Sequence, residues 1–154
     1  MRSQKLVRSI SIALVACSLA AGAASAESPI GQVKLTTGSV ALLRGGVSQP
    51  LHPGERVFQS DVLSTGADGS VGITFADDSI MSLGPDSRLS LDAFRFDTTT
   101  HAGVFEASLT QGTLVVKSGG IAKQTPEAMR VRTPAALLGV RGTEFALRAD
   151  RGRD

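Results

Sequence analysis

The residues with the chemistry to act on a substrate are few and scattered. Hydrolysis by paired carboxylates needs two Asp or Glu side chains about 5–9.5 Å apart in a cleft, and the candidates are Asp77, Asp78, Asp86 and Asp92. Asp77 and Asp78 are neighbours, and adjacent strand residues point to opposite faces. Asp77, Asp78 and Asp86 each sit beside Pro, Ser or another Asp, where Asp caps its own backbone. A small hydrolase using Asp77, Asp78 or Asp86 is therefore the weaker alternative, and a solvated turn is the expected state of Asp77–Asp78.

Nucleophilic and metal chemistry have less to work with. His52 and His101 fall in turn or loop contexts, and the sole cysteine, Cys17, lies in the N-terminal apolar stretch. No serine stands in the Gly-x-Ser-x-Gly elbow that exposes a nucleophile between strand and helix. No His or Cys cluster has metal-ligand spacing, and the Asp-Gly turns lack the Asp-x-Asp-x-Asp-Gly order of a calcium loop. The expectation is no enzyme, no cofactor and no metal.

Basic residues gather late, at Arg130, Arg132, Arg141, Arg148, Arg151 and Arg153. Arg130 and Arg132 alternate with Met129 and Val131, which places them on the wet face of a strand. Arg141 lies between Gly139-Val140 and Gly142, where backbone groups can approach closely. Its fork of donors suits neighbouring carbonyls or a carboxylate. A structural lock is the preferred reading of Arg141-Gly142-Thr143, with ligand contact the alternative.

The elements that position these groups are short. Turn formers recur at Thr37-Gly38, Gly45-Gly46, Pro53-Gly54, Ala67-Asp68-Gly69, Asp77-Asp78-Ser79, Gly84-Pro85-Asp86, Gln111-Gly112 and Gly119-Gly120. Between them the apolar residues alternate with period two, as in Val71-Gly72-Ile73-Thr74-Phe75, Phe105-Glu106-Ala107-Ser108-Leu109 and Met129-Arg130-Val131-Arg132. The fold class predicted is all-β: a short-strand roll, β-helix-like or sandwich-like, in a single domain. Thr37-Gly38-Ser39-Val40 echoes Asp68-Gly69-Ser70-Val71 at a spacing of 31 residues, which leans toward a roll or β-helix-like wrap. Pro134 to Val140 is the one place for a turn of helix. Asp97 to Gly103 is the expected exposed loop joining two halves of the domain, and Ile121 to Ala128 a second connector.

The first 26 residues read differently. Arg2, Lys5 and Arg8 precede an unbroken small and apolar run, Ser9 to Ala23, and Ala24-Ser25-Ala26 gives a small-x-small cleavage pattern. Residues 1–26 are thus expected to be a signal peptide cut after Ala26, leaving 27–154 as the folded domain. Leu14-Val15-Ala16-Cys17 is also similar to a lipobox, in which Cys17 would be acylated and become the first residue. Of the 16 basic residues, three lie in that leader, leaving 13 against 14 acidic ones. A near-neutral domain exerts no net electrostatic pull on nucleic acid or anionic lipid. Without Trp or Tyr it also lacks their stacking platforms for bases and sugars. Nucleic acid is excluded as a partner, and a membrane is expected only if Cys17 is lipidated.

An ordered series of strings resembles the FecR-type domain. It begins with Gly31-Gln32-Val33-Lys34 and Thr37-Gly38-Ser39-Val40, then Leu51-His52-Pro53-Gly54-Glu55-Arg56-Val57 and Asp61-Val62-Leu63-Ser64-Thr65-Gly66. Phe75-Ala76-Asp77-Asp78-Ser79 and Leu83-Gly84-Pro85-Asp86-Ser87 follow. The series closes with Thr133-Pro134 and Gly139-Val140-Arg141-Gly142-Thr143-Glu144-Phe145. The resemblance implies an all-β periplasmic domain of iron-siderophore sensors, which relays transporter occupancy to a cytoplasmic sigma-factor switch. No anti-sigma segment or internal transmembrane helix is present in this sequence. A freestanding periplasmic or cell-envelope binding module is therefore expected, its partner another envelope protein or a small ligand. A structural or glycan-associated envelope protein is the alternative.

Overall fold

A computed structural model describes residues 27–140 and 142–151. The period-two segments become strands β1 (Gly31–Thr37), β2 (Val40–Arg44), β3 (Val47–Pro50), β4 (Arg56–Val57), β5 (Val62–Thr65) and β6 (Ser70–Phe75). They continue as β7 (Ile80–Leu83), β8 (Arg88–Phe96), β9 (Gly103–Lys117), β10 (Met129–Arg132), β11 (Leu137–Gly139) and β12 (Glu144–Ala149). The fold is all-β. In β6 and β10 every second residue is buried, as alternation requires.

The strands form one sheet that curls over on itself at β9. One layer runs β4-β1-β6-β7-β9-β12 and the other β3-β2-β5-β8-β9-β10-β11. The N-terminal part of β9 lies between β8 and β10, and its C-terminal part between β7 and β12. The sequence marks Gln111-Gly112 as a turn, but the strand bends there and continues. Gly112 has φ +92°, and a Cβ on it would stand 2.1 Å from Ser87 Oγ. Glycine is the residue that permits this bend.

The core fills the space between the layers. Phe75 of β6 meets Phe105 of β9 edge-on with ring centres 4.7 Å apart, and Phe94 of β8 meets Phe105 at 5.1 Å. Edge-to-face rings are a preferred aromatic geometry. Leu42, Leu63, Ile73, Leu89, Leu109 and Leu114 complete a shared interior from both layers. Among the described residues no helix is long and apolar enough to cross a membrane.

The chain changes layer repeatedly at one end of the molecule, and the two echoing strings meet there. Ser39 N–H donates to Asp68 Oδ1 at 3.3 Å, and Gly66 N–H donates to Ser39 O at 2.9 Å. Each string is a corner leading from one layer to the other, β1 to β2 and β5 to β6. The repeat therefore reflects paired corners. A β-helix-like wrap needs successive parallel coils, whereas all the pairings here are antiparallel save β9 with β10. The form found is a single curled sheet, a roll and not a β-helix.

Three local expectations are corrected. Residues 134–140 hold no helix: Thr133–Ala136 is a turn and Leu137–Gly139 is β11. The helix α1 lies instead at Gly120–Gln124, with a 3-10 turn at Pro126–Ala128. Five residues are too few to display a helical period, and Gly119 offers no side-chain cap. This connector also contributes to the core, because Ile121 and Ala122 are buried. Finally, the exposed loop after Asp97 closes the β8–β9 hairpin within one layer and does not join two halves.

Candidate functional site

The carboxylates do not assemble. Asp77 is 1% exposed, where a solvated turn was expected. Its carboxylate accepts hydrogen bonds from Ser79 Oγ at 2.7 Å, Ser79 N–H at 3.1 Å and Ile121 N–H at 3.3 Å. Its backbone oxygen accepts from Gly120 N–H at 2.6 Å. Asp77 ties α1 to the β6–β7 turn, and its oxygens are occupied. Asp78 and Asp86 are exposed corner residues with φ +64° and +49°. Asp92 lies on an outer face, where it accepts from Ser90 Oγ and Ser108 Oγ. Asp86 and Asp92 line different clefts. His52 is exposed, and His101 is exposed with its ring stacked 6.0 Å from Phe96.

One buried acid escaped the sequence reading. Asp61 is 1% exposed and receives the Arg44 fork, Nε to Oδ1 at 2.8 Å and Nη2 to Oδ2 at 2.7 Å. Phe58 N–H donates to Oδ2 as well, and the Arg44 guanidinium lies 4.6 Å over the Phe58 ring. The hydrogen bond to Asp61 raises Arg44 above its ordinary range. The two residues stand 17 positions apart, and only the β2–β5 pairing brings them together. No local pattern announces that.

The Thr133–Thr143 motif proves to be a crossing between layers. Thr133 N–H donates to Ala136 O at 2.7 Å, and Ala136 N–H donates to Thr133 Oγ1 at 3.1 Å, closing the β10–β11 turn around Pro134. Val140 N–H then donates to Met129 O at 3.1 Å. Ser118 grips the next stretch, its Oγ donating to Gly142 O at 3.0 Å and its N–H to Thr143 O at 2.8 Å. Gly139, Gly142 and Thr143 are exposed. Arg141, with Ala26 and Cys17, lies outside the described residues.

Beside this crossing is the surface with the best mixture of contacts. Across the outer face, Ser90, Ser108, Arg132 and Leu137 stand in register on β8, β9, β10 and β11. In the next row Glu106 is opposite Arg130, whose Nη1 is 3.8 Å from Glu106 Oε1. With Asp92 these groups line a cavity of about 140 Å³. Leu137 is 56% exposed, an apolar side chain presented amid charges. Protein contacts favour such an apolar anchor inside a polar rim. Arg132 has no ion-pair partner among the described residues. Sequence placed Arg130 and Arg132 on the wet face but missed Leu137, because a helical turn was expected there.

Among the described residues no group of three or more His, Cys, Asp or Glu is placed to hold a metal ion. The described residues form a curled, largely antiparallel sheet. Residues 61–153 match the family described as FecR protein, and with well over half its length matched the chain belongs to that family. This is a regulatory and signalling family, not a known enzyme family. The match runs from Asp61, the acid held by Arg44, through β12. No curated protein and no solved structure matches the chain.

Proposed function

We propose that this protein is an exported binding module of a signal-transduction system. Its recognition face is the outer surface of β8–β11, and its partner is another envelope protein or a small ligand. The observation that carries this reading is the family match across β5–β12, which includes that face. Leu137 provides the apolar anchor, and Arg132, Arg130, Glu106 and Asp92 provide a rim of both signs that sets register and partner choice. The leader supports export, with cleavage after Ala26 and a domain from 27 to 154, or acylation at Cys17. A binding role without catalysis accords with Asp77 being locked by Ser79 and Ile121.

Two measurements test the reading. Mass spectrometry of the mature N-terminus should give Glu27, or an acylated Cys17 if the lipobox operates. A retained Met1 in a cytoplasmic fraction overturns export. Deleting the gene should alter a discrete set of transcripts, and Leu137→Asp should reproduce that change while the protein retains its strand circular dichroism. Unchanged transcripts in the deletion strain overturn the signalling role. Wild-type transcripts in the Leu137→Asp strain move the contact surface elsewhere.

A further inference from the structure

We infer that β12 is a self-complementary edge, through which two copies of this chain pair antiparallel about Ala146. The argument rests on the strand alone and holds whether or not the recognition face above is correct.

The four sheet edges among the described residues are not alike. β3 ends in Pro50, which has no N–H to offer, β4 has two residues and β11 three. Short or proline-bearing edges are the usual protection against strand addition. β12 has six residues, no proline, and pairs with β9 alone among the described strands.

Its backbone polarity is readable from two hydrogen bonds. Ser118 N–H donates to Thr143 O, so Thr143 points its backbone groups at β9. Alternation along the strand then turns Phe145 and Leu147 toward β9, and Glu144, Ala146 and Arg148 toward the open side. Thr113 confirms the parity. It stands opposite Arg148, yet its oxygen accepts from Gly84 N–H on the far side of β9.

A two-fold axis at Ala146 matches every group to its complement. Glu144 comes opposite the partner's Arg148, Ala146 opposite the partner's Ala146, and Arg148 opposite the partner's Glu144. Each opposed pair exchanges both of its backbone hydrogen bonds, so the open N–H and C=O groups are all used. The side chains agree. Glu144 and Arg148 are exposed on one face, where opposite charges now meet across the strands. Phe145 and Leu147 are half-buried on the other face and come opposite each other. Among the described residues Arg148 has one ion-pair contact, 3.5 Å from Asp150, with both side chains at least 80% exposed. Such a pair is worth little, and Arg148 can turn to the partner. A register shifted by two residues loses both charge pairs, and a shift of one loses the backbone match.

Sedimentation of the purified chain, as the cell processes it, tests this at about 100 µM and below, since assembly depends on concentration. A dimer is expected. Ala146→Pro should weaken it about tenfold or more, because it removes an outward N–H that the fold itself does not use. Glu144→Arg and Arg148→Glu should each be monomeric alone, facing like charges, and should form a mixed dimer when combined. A wild-type chain that remains monomeric at the highest concentration overturns the inference. So does a dimer that persists in Ala146→Pro, or single charge variants that gain nothing on mixing. If Ala146→Pro disturbs the circular dichroism, the mixing experiment decides.

Discussion

Arg44 closes over the buried carboxylate of Asp61 with two bonds of 2.8 and 2.7 Å, while its own side chain is 40% exposed. The guanidinium brings a wet, delocalised charge to an acid that water does not reach. Removing it leaves a buried charge partnered only by Phe58 N–H. Arg44→Met is expected to cost about 2–3 kcal/mol in urea unfolding, somewhat less than for a fully buried pair because Arg44 is partly solvated. Arg44→Lys should recover only part of this, since an ammonium cannot supply the same fork. A loss below about 0.5 kcal/mol for Arg44→Met would contradict this account and resemble an ordinary surface change.

Asp97 carries the expected acid dependence. The N–H groups of Thr100 and Thr99 donate to its Oδ1 at 3.0 and 2.8 Å and hold its carboxyl below the ordinary value of 3.8. A lowered folded-state value means that the ionised form favours the folded hairpin. That contribution is present above the ordinary value and is lost as pH falls through the lowered one. NMR titration should therefore place Asp97 below 3.8, with amide protection in residues 98–102 declining in the same acid range. Asp97→Ala should remove this acid step.

Two glycines with positive φ should respond differently to alanine. At Gly112 a Cβ would strike Ser87 Oγ at 2.1 Å and Cα at 2.4 Å, and the backbone cannot yield without opening the bend in β9. At Gly142, φ is +115° but, its chain neighbours aside, no atom of the described residues lies within 4 Å of the added carbon. Gly142→Ala should cost about 1–2 kcal/mol from backbone strain alone. Gly112→Ala should cost more, or prevent folding, by thermal unfolding of the two variants in parallel. Equal losses would show that the contact with Ser87 is immaterial.

Asp77→Ala tests the buried turn. It strips acceptors from Ser79 and from Ile121 N–H at the base of α1. A loss of about 2–3 kcal/mol is expected for orphaned buried donors. Faster amide exchange at Ile121 and Ala122 should accompany it. Protection unchanged there would mean that α1 is held by its apolar residues alone.

The sequence reading succeeded where a pattern is local. Val71 to Phe75 and Met129 to Arg132 expose their period two to inspection, and the fold class follows. It failed where meaning depends on pairing. Gln111-Gly112 has the composition of a turn, yet the strands flanking β9 keep it extended through the bend. Asp77 has turn chemistry but is roofed by α1, a helix too short to signal itself. Leu137 falls within Pro134 to Val140, the one stretch with room for a turn of helix, whereas pairing with Arg132 makes it an edge residue. The proposed recognition face combines rows from four strands, and only register brings them together.

Because β9 is the sole strand common to both layers among the described residues, neither layer is a separable folding unit. A cut near Gly112 would part β10 from the N-terminal half of β9 and β7 from its C-terminal half, because the members of each pair then lie on different pieces. The molecule is thus expected to melt in a single step, with no half surviving alone. Its folding waits on contacts between residues far apart in the chain, after β9 has been made.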